Sequence, residues 1–325
     1  MRCLALAQAW QDAGGTVAFA CADLPDSLKQ RLESELCVVH RIDAHAGTES
    51  DLEQTRLLAE SISPKWLVLD GYDFGSTFQL ALRDVEWRLL CIDDDGRHSR
   101  YHADVLLNQN AGAAAVLYGR HMHGTRLLLG CKYVMLRRDF LQTPRKLDAS
   151  RTVSRLLLSL GGADAKNITE RFLAVLRPCI PTDCEIHVLI GPANPHVAGL
   201  QAIAATMKRM ALHVAPPNVP EIMANCDLAI TAAGSSVYEL GYLGVPMLFV
   251  AVANNQLPIA TALDQLGAGV WIDQTLWSRD LPSTLEWLIP DSAFRARCAA
   301  KFRELVDGRG ARRVVDVLLE SGGSK

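Results

Sequence analysis

The stretch Thr231–Gln256 (TAAGSSVYELGYLGVPMLFVAVANNQ) constrains the fold of this chain more than any other. The apolar run that leads into it, Asp227–Thr231, predicts a short buried strand. A turn of small residues follows, then a helix that Gly244–Pro246 ends, and a second buried strand over Met247–Val250. Two buried strands joined by a helix predict a parallel βαβ unit.

The small-residue turn contains Gly234, Ser235 and Ser236 and joins the first strand to the helix. Backbone N–H groups and the positive end of a helix dipole at such a turn suit a phosphate. Glu239 follows on the first turns of the helix, where a carboxylate can accept both hydroxyls of a ribose. From the residues alone a second interpretation stays open, in which Gly234 only permits a tight turn and a serine only caps the helix.

Strand and helix patterns alternate along the rest of the chain and predict an α/β protein with two doubly wound, Rossmann-like domains. We expect the first domain at 1–143, a polar hinge at 143–148 and the second domain at 150–325. Predicted strands cover 16–21, 37–42, 65–70, 87–92, 155–160, 185–190, 211–214 and 269–272. Residues 1–13 read as a helix, so the chain opens inside a helix with no strand before it.

Composition excludes several classes of partner. A net charge of −3 without a clustered basic face argues against nucleic acid. No apolar run approaches the ~20 residues of a membrane span. Nine scattered cysteines without a C-x-x-C pair predict reduced thiols, and neither a disulfide framework nor a zinc site. We expect a cytoplasmic monomer with no metal, no other cofactor, and no nucleic-acid or membrane partner.

Three further turns follow predicted strands. Gly161-Gly162, with Asp164 nearby, lets a backbone approach a ligand closely, and Asn167 with Glu170 has the spacing of a capping box. The turn after residue 70 contains Asp70 and Tyr72, which indicate either a ligand-binding edge or an aspartate-capped turn. Three carboxylates at 93–95 suggest a metal, but without regularly spaced ligands a solvated turn is the better interpretation.

These motifs resemble the nucleotide-binding segment of GT-B-type proteins that handle UDP-sugars. More narrowly, Ala232–Glu239 (AAGSSVYE) followed by Ala253–Gln256 (ANNQ) is similar to the UDP-2,4-diacetamido-2,4,6-trideoxy-β-L-altropyranose hydrolases of pseudaminic acid biosynthesis. The resemblance runs from Arg2 to about Gly269. It implies an interdomain cleft, a UDP-sugar substrate, and hydrolysis of that substrate to free sugar and UDP.

The resemblance also implies roles for individual residues. Tyr72 and Asn255 are placed at the sugar as catalytic candidates, and Glu239 is placed on the ribose. Val219 begins a short helix whose backbone groups contact the uracil. The remaining substrate-binding candidates are Arg2, Asp70, Gly161, Gly162, Asp164, Gly234, Ser235, Ser236 and Gln256. For Asn255, the residues alone leave open that it is only a helix N-cap.

The chain departs from the family at its start. Arg2–Ala7 (RCLALA) matches the end of the family's opening motif, G-x-G-H-x-x-R-C-L-x-L-A, while the Gly-x-Gly-His part is absent. The histidine of that part is the family's proposed general base, so no residue here takes its role. We expect a strand and this turn ahead of Met1. A UDP-sugar-dependent glycosyltransferase and a non-catalytic UDP-sugar binder remain alternatives to the hydrolase.

Overall fold

The computed structural model describes residues 1–83, 86–119, 124–146 and 152–322. They form two compact units, of which one comprises Met1–Arg138 with the residues from Gly308 onward and the other Asp139–Asp307. Every strand pairing in both units is parallel, and helices alternate with the strands. The predicted α/β class is confirmed.

Six strands of the first unit form two separate sheets. The strands are β1 (Ala18–Cys21), β2 (Val38–Arg41), β3 (Trp66–Asp70), β4 (Arg88–Ile92), β5 (Val105–Asn108) and β6 (Arg126–Leu129). β1 pairs with β2, and β3 to β6 pair in chain order. The helices between them are α1 (Arg2–Asp12), α2 (Asp26–Ser34), α3 (Glu49–Ile62) and α4 (Ser76–Leu82), with 3-10 turns at Ala115–Tyr118 and Cys131–Tyr133.

Local sequence signals explain the ends of α3. The Thr48 hydroxyl accepts the backbone N–H of Asp51, which satisfies one of the helix's unpaired N-terminal donors. The helix ends at Ser63, which adopts the left-handed conformation (φ 51°), directly before Pro64.

The second unit contains one six-stranded sheet, in the order β12-β11-β10-β7-β8-β9. Its strands are β7 (Arg155–Ser159), β8 (Glu185–Ile190), β9 (Met210–Val214), β10 (Leu228–Ala232), β11 (Met247–Val250) and β12 (Val270–Ile272). Its helices are α5 (Arg138–Gln142), α6 (Ile168–Leu176), α7 (Val197–Thr206), α8 (Val219–Ala224), α9 (Ser236–Leu243), α10 (Leu257–Gln265), α11 (Trp277–Leu288) and α12 (Ser292–Leu305). The first residue of α5, Arg138, is the last residue of the preceding segment of the first unit. Further 3-10 turns span Arg177–Cys179 and Asn254–Gln256.

The core of the second unit lies on its central strands. All residues of β10 and β11 are buried, as their continuous apolar runs predict for strands covered on both faces. On one face, α6 and α11 supply Phe172 and Trp277, whose rings stack with centroids 3.9 Å apart. This rigid centre holds the loops that leave β7 and β10.

The last helix, α13 (Gly310–Gly322), belongs to the first unit. Its buried residues Val314, Val315 and Leu318 join the core cluster that contains Leu6 of α1. This differs from the expectation that residues up to 325 lie in the second domain. The apolar face of α13 is visible in the sequence, but the surface that buries it is contributed by residues much earlier in the chain, such as Leu6, Leu90 and Met135. The last two residues of the predicted hinge, 147 and 148, lie outside the described residues. The predicted start of the second domain at residue 150 also lies outside them.

We predict that Gly310→Ala destabilises the protein by about 1–3 kcal/mol, the usual cost of overpacking. A Cβ at this position would lie 2.1 Å from the carbonyl oxygen of Val134 and 2.6 Å from the carbonyl carbon of Tyr133, and backbone atoms cannot rotate away. Urea denaturation gives the change in unfolding free energy.

The matched control is Gly199→Ala in α7, where an added Cβ meets nothing within 4 Å. This substitution should be neutral or stabilise by up to about 1 kcal/mol, since alanine favours a helix over glycine. Equal effects of the two substitutions would contradict the docking of α13 against residues 133–134.

Candidate functional site

The candidate nucleotide site of the second unit lies at the carboxyl edge of its sheet. β7 and β10 are central neighbours, and Ser159 is paired with Thr231 near their ends. Because carboxyl ends of parallel strands meet at one edge, the turns that follow β7 and β10 lie side by side. The first turn contains Gly161 and Gly162, and the second contains Gly234–Ser236. The fold thus brings together the two small-residue turns singled out in the sequence.

Glycine is required at two positions of this edge, Gly161 in the first turn and Gly191 after β8. Gly161 has φ +109°, a conformation that residues with a Cβ rarely adopt. Gly162 is approached by Gly191, the residue after β8, where an added Cβ would lie 2.5 Å from the Gly162 carbonyl oxygen. A third turn therefore reaches the same edge. Sequence reasoning missed Gly191, although Gly-Pro after a buried strand was a usable signal.

The second turn leads directly into α9. Ser235 occupies the N-cap position without a side-chain cap hydrogen bond, and Ser236 is the first helical residue. The Ser235 side chain therefore does not cap α9, while the interpretation of Gly234 as only a tight turn stays open. Ser235 is exposed, so its hydroxyl and the N-terminal N–H groups of α9 lie at the turn where an anion would bind.

Glu239 and Gln256 complete this edge of the second unit. Glu239 is half-buried in the first turn of α9. The Gln256 amide is held by its Oε1 atom, which accepts the backbone N–H of Val252 at 2.9 Å. Its Nε2 atom lies 3.5 Å from the position that a Cβ on Gly234 would take. Gln256 is thus fixed beside the Gly/Ser turn.

Asn255 lies in the 3-10 turn ahead of α10 and is half-buried. The N-cap of α10 is Gln256, so the interpretation of Asn255 as that cap is wrong. The catalytic role that the resemblance implies for Asn255 stays a prediction.

Asp164 caps a helix. Its two carboxylate oxygens accept the backbone N–H groups of Ile168 and Thr169, at 2.7 and 2.9 Å. The capping box predicted for Asn167 is absent, because Asn167 is the N-cap residue in a left-handed conformation without a side-chain cap hydrogen bond. Asp164 thereby positions α6 after the Gly161-Gly162 turn. Val219, half-buried, begins α8 as expected.

In the first unit, Arg2 joins two strand ends. Its guanidinium contacts Asp70 at the end of β3 and Asp94 just after β4, each at 2.6 Å. Burial alone would lower the pKa of Arg2, but the hydrogen bonds and charges of both aspartates raise it well above its ordinary value. Arg2 is therefore a permanent cation at the carboxyl edge of this sheet.

Asp94 is the centre of this polar group, and sequence reasoning missed it. Besides Arg2, it accepts hydrogen bonds from the Tyr72 hydroxyl at 3.0 Å and the Asn110 amide at 2.7 Å. Burial would raise the pKa of Asp94, but the hydrogen bonds and charge of Arg2, helped by Asn110 and Tyr72, lower it. Asp94 is accordingly an acceptor at neutral pH and a poor general base.

The solvated turn predicted for residues 93–95 is wrong. Asp93 is only 7% exposed and accepts hydrogen bonds from the hydroxyls of Tyr101 and Tyr118, both at 2.9 Å. Only Asp95 makes a surface ion pair, with Arg97 at 2.6 Å. The tyrosines that bury Asp93 are 8 and 25 residues away, which is why the local acidic run suggested solvent.

Tyr72 lies on the turn after β3 and is 44% exposed. Its hydroxyl is oriented by Asp94, and the Arg97 guanidinium stacks over its ring at 3.9 Å. An exposed aromatic ring with an oriented hydroxyl suits contact with a sugar, although its catalytic role stays a prediction.

The described residues carry neither a metal-binding cluster of three or more side chains nor a membrane-spanning helix. They contain no group of three His, Cys, Asp or Glu side chains arranged to hold a metal ion. None of their helices has the length and apolarity needed to cross a membrane.

Comparison with known proteins gives two distant sequence relatives. The chain is 22% identical over 312 residues to the spore coat polysaccharide biosynthesis protein SpsG of Bacillus subtilis, covering 91% of each protein. It is 24% identical over 206 residues to the uncharacterized protein MJ1062 of Methanocaldococcus jannaschii, and this match spans 61% of the chain and only 42% of that relative. No family model matches the chain.

Solved structures match across nearly the whole chain. MurG of Acinetobacter baumannii superposes with a TM-score of 0.65 at 18% identity, over 98% of this chain and 95% of that one. The spinosyn forosaminyltransferase SpnP superposes with a TM-score of 0.66 at 13% identity, over 99% of this chain and 96% of that one. Anabaena Alr3699/HepE in complex with UDP-glucose superposes with a TM-score of 0.63 at 13% identity, over 98% of this chain and 94% of that one. The fold is that of GT-B glycosyltransferases.

We predict that Asp94→Asn lowers the unfolding free energy by about 3 kcal/mol near neutral pH, because a charged, hydrogen-bonded partner of the half-buried Arg2 is lost. Since the pKa of Asp94 is lowered by folding, its stabilisation is complete above about pH 4 and is lost as the pH falls through the folded-state pKa. Urea denaturation between pH 3 and 7 should show the two proteins converging at the acid end.

The adjacent substitution Asp95→Asn serves as the control. It breaks only the surface pair with Arg97 and should cost less than about 1 kcal/mol. Equal losses at both positions, or a difference that persists unchanged at pH 3, would contradict the role assigned to Asp94.

Proposed function

We propose that this chain is a UDP-sugar-dependent glycosyltransferase of polysaccharide biosynthesis, and that its second unit binds the nucleotide. One observation carries the proposal: the turns of Gly161-Gly162 and Gly234–Ser236 leave adjacent central strands at the same edge, and α9 starts at the second turn. Two small-residue turns and a helix N-terminus at one place form a surface for a diphosphate.

Each part of that edge binds a different portion of the UDP-sugar. Backbone N–H groups of the Gly/Ser turn and the dipole of α9 hold the diphosphate. Glu239, in the first turn of α9, accepts the hydroxyls of the ribose. The backbone at the start of α8, from Val219, contacts the uracil, and Asn255 with Gln256 contacts the sugar. These assignments follow the resemblance of AAGSSVYE and ANNQ to UDP-sugar proteins.

Transfer is preferred to hydrolysis because of the relatives. The full-length sequence relative is named for polysaccharide biosynthesis, and SpnP, among the structural neighbours, is named as a transferase. In the proposed reaction the bond between the anomeric carbon and the β-phosphate oxygen breaks, and UDP leaves with the electron pair. An acceptor hydroxyl bonds to the anomeric carbon and releases its proton. The hydrolysis expected from the pseudaminic acid pathway resemblance lacks comparable support.

We predict that Glu239→Ala weakens UDP binding by roughly 5- to 150-fold, which corresponds to the loss of hydrogen bonds to a charged group worth about 1–3 kcal/mol. Isothermal titration calorimetry with UDP measures this change. The control is Glu286→Ala, which removes an exposed carboxylate from α11. Wild-type affinity in the Glu239 variant would remove the ribose contact from the proposal.

We predict that UDP release from a UDP-sugar requires an added sugar acceptor. The chain is incubated with a panel of UDP-sugars, with and without acceptor oligosaccharides, and UDP is followed by chromatography. Equal release in the absence of acceptor would favour the hydrolase. Binding of UDP with no release under either condition would favour a non-catalytic UDP-sugar binder.

A further inference from the structure

Two histidines of the second unit meet on neighbouring strands at one side of its sheet. His187 is on β8, and His213 is on β9, the last strand in the sheet order. The Nδ1 atom of His187 lies 3.0 Å from the Nε2 atom of His213, and the two ring planes differ by only 3°. Because the two residues are 26 positions apart, the sequence alone does not show this pair.

The histidine pair lies on the face of the sheet opposite the main core cluster of the second unit. Strand alternation puts Ile186, Val188 and Leu212 on the face that packs in or against that cluster. His187 and His213 therefore project from the other face, where both are half-buried. The His187 side chain is 21% exposed, so small ions in solution can reach the pair.

The two rings share one hydrogen bond. At 3.0 Å between ring nitrogens, one imidazole donates and the other accepts. Burial lowers the pKa of both histidines, so both rings are neutral at pH 7. Neutral imidazole is the form that binds a metal ion.

The spacing of the two nitrogens also suits a shared metal ion. With metal–nitrogen bonds of about 2.0–2.1 Å, two imidazole nitrogens on one ion lie about 2.9 Å apart at a right angle and about 3.3 Å apart at the tetrahedral angle. The observed separation of 3.0 Å falls in this range. Turning each ring toward a common point would therefore bring both lone pairs onto one ion.

Glu185 lies where ligating histidines commonly have a carboxylate. Its Oε2 atom is 3.8 Å from Nε2 of His187, the ring nitrogen that does not face His213. This Nε2 atom is buried and makes no hydrogen bond within the described residues. A histidine that binds a metal usually donates its other N–H to a carboxylate, which fixes the tautomer. Glu185 is placed to accept that N–H after a small rotation, although it also pairs with Arg155 and Arg209.

We propose that His187 and His213 bind a divalent transition-metal ion of the class that prefers imidazole, such as Ni²⁺, Cu²⁺ or Zn²⁺. Nδ1 of His187 and Nε2 of His213 become the ligands, and water molecules fill the remaining positions. His213 then carries its proton on Nδ1, while His187 carries its proton on Nε2, toward Glu185. The bound ion joins the edge strand β9 to β8. The geometry of the pair carries this inference, which is independent of the proposed function.

The test is calorimetric titration of the full chain with NiCl₂. His187→Gln and His213→Gln each remove one ligand, and His45→Gln is the control because it removes an exposed histidine of the first unit. The wild type and the control should bind Ni²⁺ equally well. Each site variant should bind at least about 10-fold more weakly, since loss of a ligand costs no less than loss of its outer-sphere partner.

Two further measurements separate the site from other binding and from misfolding. Ni²⁺ should raise the melting temperature of the wild type and the control but of neither site variant, because an ion that binds only the folded state stabilises it. Electron paramagnetic resonance of the wild type with one equivalent of Cu²⁺ should show coupling to two imidazole nitrogens. Unchanged Ni²⁺ affinity in both site variants, or a wild-type copper spectrum without two coupled nitrogens, would overturn the proposal.

Discussion

Parallel strand pairing is the constraint on which the rest of this structure depends. Strands that run in one direction need a crossover after each strand, so the loops that leave their carboxyl ends collect at one edge. In the second unit this edge gathers the glycine turns after β7, β8 and β10 with the N-terminus of α9. In the first unit the corresponding edge carries Asp70, Tyr72, Asp94 and Asn110.

The two edges differ in chemistry. That of the second unit consists mainly of backbone and small side chains, which suits an anionic diphosphate, with Glu239 as its carboxylate in α9. That of the first unit is a half-buried ionic network in which one guanidinium joins two carboxylates. Such a network fixes geometry more than it stabilises, since desolvation offsets much of the Coulomb energy. Its consequence here is an oriented Tyr72 hydroxyl.

Arg2 also links the polar edge to the packing of the first unit. It begins α1, whose two faces cover the separate sheets. The same helix thus anchors the ionic network through Arg2 and packs against both of the separate sheets.

The sequence by itself determined ten of the twelve described strands, their order along the chain and the Gly/Ser turn, while β5 and β6 were not predicted. β8 and β11 were predicted with the bounds observed, and most other predicted strands differ by one or two residues, because buried strands are continuous apolar runs ended by Gly, Pro or Asp. Tertiary structure alone decided the environment of Asp94, the split of the first sheet, and the return of α13 to the first unit. Each depends on partners far apart in sequence, such as Arg2 and Asp94, 92 residues apart. A local pattern shows that a carboxylate or an apolar face needs a partner, but only the folded chain shows which one it meets.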